Sequence, residues 1–137
     1  IVEQNIGISK DFNNFELLKA LAYRDFKRVM RIQKYFASNP KDHPLVLTIT
    51  VLYGFVSKLL IGHQARDKSP QGLASALKVN PFFVKDYTSA MQYYDQRRCA
   101  RMLGYLREAD LRGKGVGNAS TSESEILKEL LFKMFYV

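Results

Sequence analysis

The segment LVLTITVLYGFVSKLLIGH, Leu45 to His63, constrains this chain more than any other. It is apolar around its whole circumference, so a helix made from it has no obvious wet face and must be surrounded by other elements. β-Branched residues are common in it, but the run is too long for one strand. With Pro44 just ahead as an opener, it predicts a buried central helix. A membrane span is not expected. The uncharged stretch from Pro44 to Ser57 is shorter than the roughly 20 residues a span needs, and Thr48, Thr50 and Ser57 interrupt it.

The flanking sequence supplies helices to surround it. Asn13 with Glu16 has capping-box spacing, and Phe12 and Leu17 sit where a hydrophobic staple would close. Asp25 predicts the cap of a helix over 26–38, ended by Asn39-Pro40. After a polar loop (66–72) the pattern predicts a short helix over 72–77. Asn80 and Pro81 predict the next start, with Phe83, Tyr87, Ala90, Met91 and Tyr94 facing inward. Asp95 predicts a long helix to about Leu111 with Cys99, Met102, Leu103, Leu106 and Ala109 inside. A loop over 112–121 follows. Ser122 and Glu125 then open a last helix with a broad apolar band, Ile126, Leu127, Leu130, Leu131, Met134 and Phe135. The expected fold class is all-α, a bundle of about six or seven helices.

At 137 residues this is the size of one domain. Residues 1–11 carry no helical period and read as a lead-in, the tail of a preceding domain; 12–137 form the helical domain. The chain opens at Ile1 without Met and stops in Phe135-Tyr136-Val137, as the cut ends of a longer protein would, so upstream residues are expected. Cys99 is the single cysteine, which excludes an internal disulfide and fits a reducing compartment. Lys and Arg number 21 against 13 acidic residues, a net charge of +8. That balance favours anionic partners, although no run of five or more cations marks a nucleic-acid tail.

The residue types that chemistry requires do not converge. Arg112-Gly-Lys-Gly-Val-Gly117 lacks P-loop spacing, since Lys114 is followed by Gly115 and a helix precedes the glycines. His43 and His63 have no partner at ligand spacing, so no metal is expected. Asp42-His43 reads as a solvated loop pair. Cys99 sits on an apolar face, where a thiol is a small hydrophobe. No cofactor is expected. Two basic groups, Lys27, Arg28, Arg31 and Lys34, and Arg97, Arg98 and Arg101, are each either the wet side of a helix or a phosphate-binding surface. The candidate nucleic-acid contacts are Lys27, Arg28, Arg31, Arg97 and Arg101. Phe82 and Tyr93 fall off the apolar stripe, as interface aromatics do.

Four stretches together carry a family resemblance. Asn14–Leu21 followed by Phe26–Ile32, the apolar helix Leu45–Leu60, Asn80-Pro-Phe-Phe-Val-Lys85, and Ala109-Asp-Leu-Arg-Gly-Lys114 occur in the order and spacing of the C-terminal domain of the delta subunit of the bacterial DNA polymerase III clamp loader. The resemblance covers about residues 12–136. It implies a helical domain of collar type that joins equivalent domains of the gamma/tau and delta-prime subunits in a ring. It implies no catalysis by this piece, although the holoenzyme is a DNA polymerase. It implies that the sliding clamp is met only through upstream domains, that any DNA contact is indirect, and that the location is the bacterial cytoplasm. The last two helices and the loop between them are then the expected partner surface, with Arg112, Lys114, Leu127, Leu131 and Phe135. The competing expectation is a stand-alone basic nucleic-acid-binding domain.

Overall fold

The computed structural model describes residues 12–117 and 120–137; the expected lead-in over 1–11 lies outside them. Seven α-helices follow in order, with no strand among the described residues: α1 (Asn14–Ala22), α2 (Phe26–Ser38), α3 (Leu45–Gln64), α4 (Pro70–Leu77), α5 (Val84–Tyr93), α6 (Gln96–Gly113) and α7 (Glu123–Phe135).

Side-chain caps set most of the starts. Asn13, Asp25, Asp95 and Ser122 each accept a hydrogen bond from the backbone N–H three residues on, at 2.9, 3.1, 2.9 and 3.2 Å. Each satisfies a donor that the first helical turn leaves open. Two starts differ from the sequence expectation. Ser69 caps α4 through Gly72 N at 3.1 Å, so α4 begins at Pro70, where a proline at the first helical position loses no bond. Asn80 caps a 3₁₀ turn, Pro81–Phe83, which runs into α5. The expected reciprocal box at α1 is also altered. The Glu16 carboxylate is taken by Arg28 at 2.8 Å, and Phe12 stands edge-on to Tyr35.

Three ends share one closure. At α1, Asp25 N donates to Ala20 O and Arg24 N to Leu21 O; at α4, Val79 N donates to Ala74 O and Lys78 N to Ser75 O; at α6, Val116 N donates to Leu111 O and Gly115 N to Arg112 O. This is the Schellman pattern, which needs a left-handed residue at the reversal. Arg24 (φ 56°), Lys78 (φ 58°) and Gly115 (φ 90°) fill that position. The stretch from Gly113 to Gly117 is therefore a helix C-terminus, where the dipole is negative and disfavours an anion.

The core forms around α3, which packs on α1, α4, α5, α6 and α7, most extensively on α6. The other long helices make an arc, α5 on α1, α1 on α2, α2 on α7 and α7 on α6. The arc does not close, because α5 and α6 do not pack along each other. Tyr94 pins its interior: the phenol donates to Leu21 O at 3.1 Å, while its own carbonyl accepts from His63 Nε2 at 2.7 Å. A carbonyl can only accept, so Nε2 carries the proton.

Candidate docking groove

The open arc has a direct consequence for α3. Its inward positions, including Thr48, Leu52, Val56 and Leu59, are fully buried. The opposite side carries Val46, Thr50, Tyr53 and Ile61, which recur at helical spacing and face outward. Val46 is 52 % exposed, Tyr53 54 % and the adjoining Leu47 55 %. The expectation that this helix is buried all round is thus corrected. Burial covers the face that the arc reaches, and an equally apolar face stays open. By length and composition α3 would also suffice to cross a membrane; in this fold its inner face is occupied by other helices.

Beside that face, α3 and α6 border a groove of about 600 Å³, lined by Val46, Ile49, Tyr53, Leu103, Gly104 and Leu106. Arg107, Asp110 and Lys114 form its polar rim. Asp110 and Lys114 pair at 3.0 Å. Arg107 is exposed and enters no ion pair among the described residues. Past Arg107 the apolar surface continues to Leu111 and Val116, exposed at the Schellman end of α6. Contiguous exposed apolar surface is a candidate docking feature.

No family model, curated protein or solved structure matches the chain.

The expected partner residues divide sharply. Lys114 lies on the groove's rim, while Arg112, bonded to Glu129 at 3.1 Å, belongs to the adjoining surface with Leu111 and Val116. Leu127, Leu131 and Phe135 do not belong to any surface: they are 4, 0 and 5 % exposed, within the core. The whole apolar band of α7 is consumed by α2, α3 and α6, so the expectation that part of it stays uncovered is corrected. Sequence reasoning placed the open apolar surface on α7, whereas the structure leaves it on α3. The available signal was the absence of a polar stripe in α3, which a fully surrounded helix and a docking helix share.

The basic residues are also rearranged. Arg28 is half-buried, bound to Glu16 and lying 5.3 Å over the Phe12 ring, so it is no free phosphate ligand. Lys27, Arg31, Lys34, Arg97 and Arg101 are exposed. Contacts of Arg24 with Phe135 O and Gln33 with Ser124 O run α2 antiparallel to α7. Contacts of Arg112 with Glu129 and Glu108 with Lys133 do the same for α6. The N-terminal ends of both basic helices therefore come to the C-terminal end of α7, where Phe132 and Tyr136 are 53 and 58 % exposed.

Other groups serve packing. Among the described residues no cluster of His, Cys, Asp and Glu could hold a metal ion. His43 is not a solvated loop residue: it stacks on Phe36 with centroids 4.0 Å apart, and burial pushes its pKa down. Burial pushes the Cys99 thiol up to about 11, so at neutral pH it is protonated and unreactive. The aromatics fall into clusters: Phe15, Phe55, Phe83 and Tyr87 line a small cavity of about 100 Å³, and Phe26 packs with Phe132, Phe135 and Tyr136.

Proposed function

We propose that this chain is a non-catalytic assembly domain of the clamp-loader delta subunit. It joins the helical domains of gamma/tau and delta-prime subunits in a collar, so that the complex opens and loads the sliding clamp during DNA replication. The observation that carries the assembly part of this reading is the open apolar face of α3 beside the α3–α6 groove. An interior-like surface with a polar rim is how docking sites between subunits are built. The clamp-loader part rests on the four sequence stretches named above.

The test is size-exclusion chromatography with light scattering, mixing the chain with gamma/tau and delta-prime subunits encoded in the same genome. A complex that survives moderate salt is expected, and Val46→Glu with Tyr53→Lys abolishes it without unfolding the chain. A wild-type chain that co-elutes with neither subunit overturns the reading.

One observation favours a second reading. Exposed Phe132 and Tyr136 lie between two basic helix ends, an arrangement that stacks bases and neutralises phosphates on single strands. It predicts binding to single-stranded DNA that weakens steeply with salt. The same samples decide between the two, since Tyr136→Ser lowers DNA binding only under the second.

A further inference from the structure

The helical glycines differ in what surrounds them. A Cβ on Gly62 would come within 2.8 Å of Met91 Sδ, and one on Gly113 within 2.9 Å of Leu45 Cδ2. Their missing side chains are used inside the fold. Gly54 of α3 and Gly104 of α6 are different: a Cβ on either would meet nothing within 4 Å, and of the two it is Gly104 that lines the groove. Gly104 lies mid-way along the 18-residue α6, where glycine destabilises a helix relative to alanine. Its backbone is ordinary, because the glycines with positive φ among the described residues are Gly115 and Gly117. Neither internal packing nor conformation accounts for a glycine at this position. What distinguishes Gly104 is its place on the wall of the groove, opposite Val46 and Tyr53 of α3.

The rim adds a sign. With Asp110 and Lys114 paired to each other, Arg107 is the cation that faces the groove without a carboxylate among the described residues. Along α3, Val46 and Tyr53 are seven residue steps apart, about 10 Å of helix. That length matches two turns of an opposing helix.

We propose that Gly104 is the crossing point of a partner helix. The occupant is an amphipathic helix of a neighbouring subunit. Its backbone passes closest at Gly104, its apolar stripe rests on Val46, Tyr53 and Leu103, and an acidic side chain meets Arg107. This rests on the assembly reading and specifies how the partner is held. A side chain on Gly104 would lift the partner off the groove while leaving the free chain intact, or more stable.

The experiment measures thermal melts and affinity for the gamma/tau and delta-prime subunits, using wild type, Gly104→Ala, Gly104→Leu, Arg107→Glu and, as a control on the far side, Lys34→Ala. Gly104→Ala is expected to raise Tm by about 2–4 °C yet weaken the complex several-fold. Gly104→Leu and Arg107→Glu keep a native melt and weaken it about 10-fold or more, while Lys34→Ala binds as wild type. If wild type binds and both Gly104 variants bind as tightly, the crossing helix is wrong and the assembly reading survives. If Arg107→Glu alone leaves affinity unchanged, the acidic partner is wrong. If wild type binds neither subunit, the assembly reading fails and the inference falls with it.

Discussion

Replacing Leu131 by alanine separates the core from the proposed docking surface. Leu131 is 0 % exposed, in the middle of the α7 band that faces α2, α3 and α6. Its side chain is enclosed on all sides, so truncation loses the transfer energy of the removed methyls and leaves a cavity that close-packed helices fill only in part. Leu→Ala changes at such sites cost about 3–5 kcal/mol. A domain of 137 residues has a total stability of roughly 7–20 kcal/mol, so the loss is a large share but leaves the chain folded. With a urea slope of about 2 kcal/mol per molar, the midpoint falls by about 2 M. Tyr53→Ala is the comparison. Tyr53 is 54 % exposed, and its truncation costs about 1 kcal/mol or less. Urea unfolding followed by far-UV circular dichroism measures both. A Leu131→Ala midpoint within about 0.5 M of wild type would refute the seating of α7 described above and restore Leu131 to the partner surface.

The two cations that hold left-handed conformations predict opposite responses to glycine. The Lys78 side chain is exposed and has no bond among the described residues that offsets its backbone, so Lys78→Gly relieves about 1 kcal/mol of left-handed strain and stabilises the chain. The Arg24 guanidinium donates to Phe135 O at 2.8 Å and lies 4.2 Å from the Phe135 ring centre; losing these contacts outweighs the relief, and Arg24→Gly destabilises by about 1–2 kcal/mol. Equal and stabilising shifts for the two variants in the same urea assay would show that the Arg24 clamp is inert. A third expectation concerns acid. Hydrogen bonds from Lys133, and then from Arg112, hold the Glu129 carboxyl below its ordinary range. A depressed folded pKa means that this stabilisation is present above the unfolded value and disappears as pH falls through the folded one. Glu129→Gln is therefore less stable than wild type near pH 7, by less than about 1 kcal/mol for a pair this exposed, and the difference vanishes near pH 3. A difference that persists at pH 3 refutes the electrostatic origin.

Local signals in the chain were legible because they depend on near neighbours. The caps at Asn13, Asp25, Asp95 and Ser122 are three-residue relations between a side chain and a backbone N–H, and such relations do not wait for the fold. The inward stripes of α6 and α7 were legible for a similar reason: Cys99, Met102, Leu106 and Ala109, and Ile126, Leu130 and Met134, are the apolar faces of helices whose other side is charged, and all are buried. The start of α4 was read two residues late because Gly72 obscured the cap at Ser69. The pairing of Arg28 is not legible in the sequence because its partner, Glu16, lies on another helix.

The open apolar face of α3 was illegible for a deeper reason. A helix that is apolar all round states that both its faces can be covered; it does not state by what. The sequence by itself determined an all-helical chain, the places where most helices begin, and which side of each charged helix turns inward. Only the tertiary structure decided that the arc from α5 to α6 stops short of closing, leaving Val46, Tyr53 and the wall at Gly104 open. Helix formation and capping act within a few residues, whereas the covering of α3 depends on how many other helices the chain can bring around it.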